Sequence, residues 1–381
     1  MGEQENPQRS LSVPEVAARL GVAPVTVYRH LKRGTLPSFH FGGVVRVLEA
    51  DLNAFITRQR QLGAESNQGQ TPAELLPTPR GGLKAWAEIV RPFSWTASLI
   101  PVTLAGAIAW KDGAFSPLLF LLALLGALLL QAGTNVINEL FDVRQGVDTP
   151  GSARASKVLV QDRLRPDDAY RGGLALFGAA MVVGAYLITV RGFYVVLIGL
   201  LAILIGYFYT ASPIHFKYRG LGVPVVFVVM GPLMVVGTYF VLAGTVTLQA
   251  AIASLPVGIL VATILHANDV RDVQDDAQAP FKTLSTLMGQ RPAGRLYMLL
   301  LASAYLLVIL LAGLSLLPLW TLLTLLTLPL AGAALYTMQR ALRAGDEATA
   351  VLATIDVATA KVHLTFGLLL SLAFILQGAL G

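Results

Sequence analysis

The chain has no cysteine among its 381 residues, which excludes structural disulfides, thiolate catalysis and thiolate-bound metals and leaves the redox compartment open. It is also poor in charge, with 13% Asp, Glu, Lys and Arg against 55% hydrophobic residues. Soluble domains carry about a quarter charged residues, so a soluble fold throughout is excluded. A signal peptide is not expected either: Met1 to Ser10 is polar, and no apolar core follows it nearby. Targeting then falls to the first membrane helix.

What is abundant is apolar sequence. From residue 94 onward, runs of roughly 17 to 25 residues recur, long enough to cross the hydrocarbon of a bilayer. They predict about nine transmembrane spans, at 94–110, 117–138, 172–190, 193–211, 223–243, 248–266, 295–313, 316–337 and 357–379. The expected class is therefore all-α, a polytopic membrane bundle. Lys and Arg gather in alternate connections: Arg144, Arg163 and Arg165 after the second span, Lys217 and Arg219 after the fourth, Arg271, Lys282 and Arg291 after the sixth, and Arg340 and Arg343 after the eighth. The opposite connections hold little beyond Lys111 and Arg191. By the positive-inside rule the N-terminus is cytoplasmic and the C-terminus outside, in the multi-pass topology of a cell inner membrane protein.

Two of the basic connections also carry acids and amides. If the second span stays helical through its polar end, Asn135, Asn138 and Asp142 fall at i, i+3 and i+7 on one face. Over a hundred residues later Asn268, Asp272 and Asp276 recur at i, i+4 and i+8. Carboxylate and amide oxygens are the ligands of hard divalent cations, which bridge to phosphates, so Mg²⁺ with a diphosphate is the natural candidate. Solvated loops at the membrane edge are the alternative for either cluster alone. Both clusters lie on the side assigned to the cytoplasm, and their spacing of four spans hints at two similar halves plus one extra helix.

Residues 11–61 differ from the rest. Leu11 to Leu31 reads as helix, glycine turn and helix, Leu36 to Val47 alternates like a hairpin turning at Gly42-Gly43, and Glu49 to Arg60 resumes as helix. This resembles the MerR/excisionase-type winged helix-turn-helix. The resemblance implies that the helix near Pro24 to Arg33 enters the major groove of DNA and that the hairpin acts as a wing. Val44 and Val45 stand where such wings often carry basic or aromatic residues, and the excess of about three positive charges is modest for phosphate contacts. DNA is thus one candidate partner of residues 11–61, and a fold retained for protein contact is the other. Residues 62–82, rich in Gly, Gln, Pro, Ser and Thr, read as a flexible linker, giving domains at 1–61 and 83–381.

Over residues 83–381 the sequence resembles the UbiA superfamily of intramembrane aromatic prenyltransferases. The matching pieces are Asn135-x-x-Asn138-Glu139-x-x-Asp142-x-x-x-Gly146-x-Asp148, Asn268-Asp269-x-Arg271-Asp272-x-x-x-Asp276, Tyr209-Thr210-x-x-Pro213-x-x-x-Lys217-Tyr218, Arg91-Pro92 and Lys282-Thr283-Leu284. Within the superfamily these forms look most like 1,4-dihydroxy-2-naphthoate polyprenyltransferases of menaquinone synthesis. Glu139 departs from that branch, which commonly has Asp there. The resemblance implies a polyprenyl diphosphate donor, an aromatic acceptor and Mg²⁺ held by Asn138, Glu139, Asp142, Asp148, Asp269, Asp272 and Asp276. It implies catalytic roles for Asp142, Asp272, Lys217 and Tyr209, and substrate contacts for Arg91, Asn135, Asn268, Arg271 and Lys282.

The chemistry agrees with those residue types. Ionising an allylic diphosphate leaves several negative charges on the leaving group, which cations must stabilise, while the carbocation must be kept from water. Lys217, Lys282 and Arg271 can supply charge, or serve topology alone. Tyr207, Phe208 and Tyr209 line a cavity or anchor the interface. Arg91 pairs with an acceptor carboxylate or is a juxtamembrane arginine, and His266 and His363 are proton acceptors or packing residues. Other acceptors, such as 4-hydroxybenzoate, haem or chlorophyll precursors and glycerol phosphate lipids, are the alternatives within this chemistry. A membrane-tethered DNA-binding quinone sensor and a transporter are the alternatives outside it, although a sensor needs no two metal-binding stripes and a transporter wants its site near the bilayer midplane rather than at one face.

Overall fold

A computed structural model of the chain describes residues 9–65 except 21, 23, 33, 42 and 43, together with 82–145, 147, 158–277 and 282–380. Contacts divide the chain into two units, residues 1–89 with 139–168, and residues 90–138 with 169–381. The first unit begins with β1 (Ser10–Ser12), α1 (Val13–Leu20), α2 (Pro24–Lys32), β2 (Phe39–Phe41), β3 (Val44–Leu48) and α3 (Glu49–Glu65). The strands form an antiparallel sheet of order β1-β3-β2, with Leu11 opposite Val47 and Phe39 opposite Arg46. Leu11, Val16, Val27, Leu36, Val47 and Leu52 make its core.

The helix expected from Leu11 starts two residues later, and Leu11 and Ser12 are strand instead. The reason is local. The Ser12 N–H and hydroxyl both donate to the Glu15 carboxylate at 2.7 Å, a capping arrangement that fixes the first turn at Val13. Those bonds hold the Glu15 carboxyl below its ordinary range, the Ser12 N–H contributing most. Leu11 is left to bury against the sheet. Glu49, buried at the start of α3, pairs with Arg19, so the acid meets both a cation and a helix N-terminus. The expected hairpin is present, with its two glycines outside the described residues, as is most of the expected linker.

The remaining helices are α4 (Gly82–Ile89), α5 (Thr96–Lys111), α6 (Pro117–Arg144), α7 (Pro166–Arg191), α8 (Phe193–Phe208), α9 (Gly222–Val228), α10 (Met234–Ala243), α11 (Leu248–Arg271), α12 (Val273–Ala277), α13 (Leu284–Met288), α14 (Gln290–Gly313), α15 (Leu328–Arg343), α16 (Ala348–Val351) and α17 (Ile355–Leu380). A π turn, Val229–Leu233, joins α9 to α10. A 3₁₀ stretch, Leu319–Thr327, leads into α15. Among the described residues eight helical segments are long and apolar enough to cross a membrane, and α8 is a shorter apolar helix. The protein is a polytopic membrane protein. The helices of the second and sixth predicted spans, α6 and α11, run past those apolar stretches to Arg144 and Arg271, because backbone hydrogen bonds continue through the polar residues.

In the second unit the last helix is central. α17 packs on α5, α11, α15 and the 3₁₀ stretch, and α11 packs on α14. Ile100, Leu104, Val257, Leu260, Phe366 and Phe374 are wholly buried among these helices. At one crossing the backbones touch: a Cβ on Gly258 would lie 2.9 Å from the Gly231 Cα and 3.0 Å from the Phe227 carbonyl oxygen. Small residues permit such close approach, which is a main source of helix association in lipid. Gly258→Leu should therefore destabilise the bundle by about 1–3 kcal/mol or more through overpacking. Thermal unfolding in detergent checks this, and an unchanged midpoint would show that the crossing is looser than described.

Candidate functional site

The end of α6 carries the first motif on a continuous helix. Asn138 is half-buried, and Glu139 and Asp142 are 0% and 3% exposed. The Thr210 hydroxyl donates to Asn138 Oδ1 at 2.9 Å, linking two motifs recognised separately in the sequence. The Leu159 N–H donates to Glu139 Oε1 at 3.3 Å. Asn135 is spent on the segment before the first span: its side-chain amide donates to the Val90 carbonyl at 2.9 Å and to Ser94 Oγ at 3.1 Å. That segment contains Arg91, at φ 53° and ψ 64°, a left-handed conformation that non-glycine residues seldom adopt. Ser94 closes the turn by donating its N–H and hydroxyl to the Arg91 carbonyl at 2.9 and 2.8 Å. Strain held in place this way is typical of residues positioned for a task.

The second motif lies where α11 gives way to α12. Asp272 leaves the helix at φ −92° and ψ 7°, yet its N–H still donates to the Asn268 carbonyl, and the Asp276 N–H to the Asp272 carbonyl, both at 2.9 Å. The expected stripe thus survives a break in the helix. Asp269, Asp272 and Asp276 are all buried. Arg271 forks onto Asp272, Nε to Oδ1 at 2.8 Å and an Nη to Oδ2 at 2.9 Å, and its other Nη lies 2.9 Å from Asp356 Oδ2 on α17. His266 Nε2 lies 2.9 Å from the Ala293 carbonyl, which can only accept, so this ring donates to α14 through Nε2. His363 is fully buried, with no hydrogen-bond partner on either ring nitrogen among the described residues.

The third motif turns back on itself. The Lys217 N–H donates to the Tyr209 carbonyl at 2.9 Å, and Lys217 Nζ sits 5.1 Å from the centroid of the Tyr218 ring. The Lys282 N–H donates to the Tyr218 carbonyl at 3.4 Å, and Arg219 and Lys282 form an isolated bridge. Backbone pairing therefore gathers Lys217, Arg219 and Lys282 from two distant connections. Tyr209 is buried beside Gly222, where an added Cβ would come 3.0 Å from its hydroxyl.

Asn138, Glu139 and Asp142 have the spacing of Asn268, Asp269 and Asp272, and the burial matches position by position: half-buried amide, buried acid, buried acid. The donors are all carboxylate and amide oxygens, which suit a hard divalent cation. Burying so many acids is costly unless partners or metals meet them. Among the described residues no three acidic or histidine side chains converge closely enough to hold one ion. Asp148, with Gly146, lies outside the described residues.

A model of the UbiA prenyltransferase family matches residues 99–377. The chain belongs to that family. A helix-turn-helix domain model matches residues 10–60. The chain is 32% identical over 222 residues to a 1,4-dihydroxy-2-naphthoate octaprenyltransferase of Bacillus subtilis (strain 168), covering 58% of this chain and 71% of that one. It is 30% identical over 321 residues to UbiA prenyltransferase domain-containing protein 1 of Gallus gallus, covering 82% of this chain and 92% of that one. A UbiA homolog from Archaeoglobus fulgidus, solved bound to GPP and Mg²⁺, matches with a TM-score of 0.49 at 16% identity, covering 76% of this chain and 99% of that one. The chain is thus a UbiA-type prenyltransferase carrying a helix-turn-helix domain. Within this UbiA bundle, sequence reasoning missed Asp356 and Ser94. An acid at the edge of the last apolar run was the available signal for Asp356, whereas nothing local distinguished Ser94.

Proposed function

We propose that the protein transfers a polyprenyl group from a polyprenyl diphosphate to 1,4-dihydroxy-2-naphthoate. An aromatic carbon bonds to the allylic carbon as the allylic C–O bond breaks, and the ring loses its carboxylate as CO₂. Diphosphate leaves, and the product is demethylmenaquinol, the reduced form of demethylmenaquinone. The observation that carries the reading is the pair of buried acid motifs in matching register at the ends of apolar helices. The similarity to the Bacillus subtilis octaprenyltransferase supports the choice of acceptor.

Asn138, Glu139, Asp142 and Asp148 would hold Mg²⁺ in one motif, and Asp269, Asp272 and Asp276 in the other. Bound there, Mg²⁺ supplies positive charge to diphosphate oxygens. Lys217, Lys282 and Arg271 add cationic contacts to those oxygens, with Asn135 and Asn268 orienting the neighbouring polar groups. Arg91, held by its strained turn, takes the acceptor carboxylate. Tyr209 lines the pocket, and the apolar helices exclude water from the cation while admitting the isoprenoid from the bilayer. The excess of Lys and Arg in alternate connections supports a cytoplasmic N-terminus, cytoplasmic motifs and an outer C-terminus, in a cell inner membrane.

A second reading is a different aromatic acceptor such as 4-hydroxybenzoate, since the Gallus gallus relative, similar over more of this chain, is described by its family alone. The quinones of a host lacking the gene separate the two. Loss of menaquinone with its precursor naphthoate accumulating is expected, and an unchanged menaquinone pool contradicts the first reading.

Residues 1–61 are proposed to be dispensable for transfer. A chain starting at Gly81 should retain its rate within about twofold, since a Gly/Pro-rich linker transmits little. A folded but inactive truncation contradicts this. For DNA the expectation is a salt-dependent mobility shift with the region upstream of the gene, and binding without sequence preference favours a protein-contact role.

A further inference from the structure

Arg271 and Asp272 are neighbours in sequence, and on an unbroken helix such neighbours point about 100° apart and do not pair. Here they do pair, bidentately, because Asp272 has left the helix. A fork between adjacent residues does not fix where the pair points. What fixes it is the remaining Nη of Arg271, 2.9 Å from Asp356 Oδ2 near the start of α17. All three side chains are buried, with Arg271 7% and Asp272 2% exposed. Two carboxylates on one guanidinium leave the cluster with an excess negative charge, away from bulk water.

Asp356 has a second oxygen, Oδ1, that is buried with no hydrogen-bond partner among the described residues. A mere strap between helices would be better served by a satisfied amide or an apolar contact, since a buried unpaired acceptor costs free energy.

We infer that Asp356 is a positioning residue: it holds the Arg271 guanidinium from the last membrane helix and thereby aims the Asp272 carboxylate toward the cation and diphosphate. The inference rests on the proposed use of Asp272 as a cation ligand. Residues of this kind, bonded to the ligand or its partner rather than to the metal, typically change metal affinity or rate by about 10- to 100-fold when removed.

The test uses full-length protein in detergent, with Asp356→Asn, Asp356→Glu and Thr359→Val. Thr359 stands one turn further along α17 and shares a 2.7 Å hydrogen bond with Tyr297, so it reports loss of a buried contact on the same helix. Mn²⁺ binding without substrates is read by electron paramagnetic resonance, and kcat and KM are read separately. Asp356→Asn should weaken Mn²⁺ binding and lower kcat by about tenfold or more with the acceptor KM unchanged, and Asp356→Glu should show a partial effect of about two- to threefold. Thr359→Val should leave Mn²⁺ binding as in the unaltered protein. If Asp356→Asn is not recovered folded, the Asp356→Glu shift in Mn²⁺ binding decides. Equal Mn²⁺ binding by the Asp356 and Thr359 variants, with the unaltered protein active, overturns the inference alone. An unaltered protein that neither binds Mn²⁺ nor turns over prenyl diphosphate overturns the reading beneath it.

Discussion

Removing divalent cations with EDTA is expected to lower prenyl transfer by about a thousandfold, with full recovery on adding Mg²⁺. The expectation follows from charge. Departure of a diphosphate adds a further negative charge to a group that already bears several, in an apolar setting, and the cationic side chains proposed for it, Lys217, Lys282 and Arg271, are few. Arg271 is in addition already committed to Asp272 and Asp356. Withdrawing several kcal/mol of charge stabilisation, about 4 kcal/mol, corresponds to about three powers of ten in rate. Turnover should follow the free Mg²⁺ concentration through saturation, measured with purified protein and both substrates saturating. Full turnover in rigorously metal-free buffer contradicts the proposed use of the acid motifs.

Asp272→Asn is expected to lower kcat by about a hundredfold, an effect on the order of 3 kcal/mol, comparable with removing one preorganised electrostatic group from an active site. The substitution keeps the shape and an acceptor for Arg271 while removing the charge. Asp167→Asn is the control, because Asp167 opens α7 with a side chain 86% exposed and only a 4.0 Å approach to Arg144. A surface pair of that kind contributes little, so its rate should stay within about twofold. Both variants should show the same thermal midpoint within a few degrees. Equal activity of the two would remove Asp272 from the site.

Much of this was legible before any coordinates. Apolar length located the membrane helices, because burying backbone polarity in lipid leaves helix as the solution for such runs, while α6, α7, α11 and α15 extend through polar residues beyond the expected bounds. Oxygen-rich residues at helical spacing located the two motifs. Less was legible where several elements meet. Helical period alone does not single out Asp272, since Asp275 follows Asn268 by seven residues, nearly two whole turns. The break at Asp272 and the fork from Arg271 do so, and the contact of Arg271 with Asp356 comes from α17, far along the chain. The left-handed turn at Arg91 was likewise hidden, because Asn135 and Ser94 hold it through contacts that no local pattern records. The strand at Ser10–Ser12 was missed because its partner, β3, lies beyond two helices.

The central claim is the reaction itself, and product analysis tests it most directly. Purified full-length protein in detergent is given an all-trans polyprenyl diphosphate and Mg²⁺, with 1,4-dihydroxy-2-naphthoate or 4-hydroxybenzoate, and the lipids are examined by mass spectrometry. The account predicts demethylmenaquinol from the naphthoate, recovered as demethylmenaquinone once exposed to air, with CO₂ and diphosphate released in equal amounts, and little product from the benzoate. Prenylated benzoate without prenylated naphthoquinone, or no prenylated product from folded protein, would contradict it.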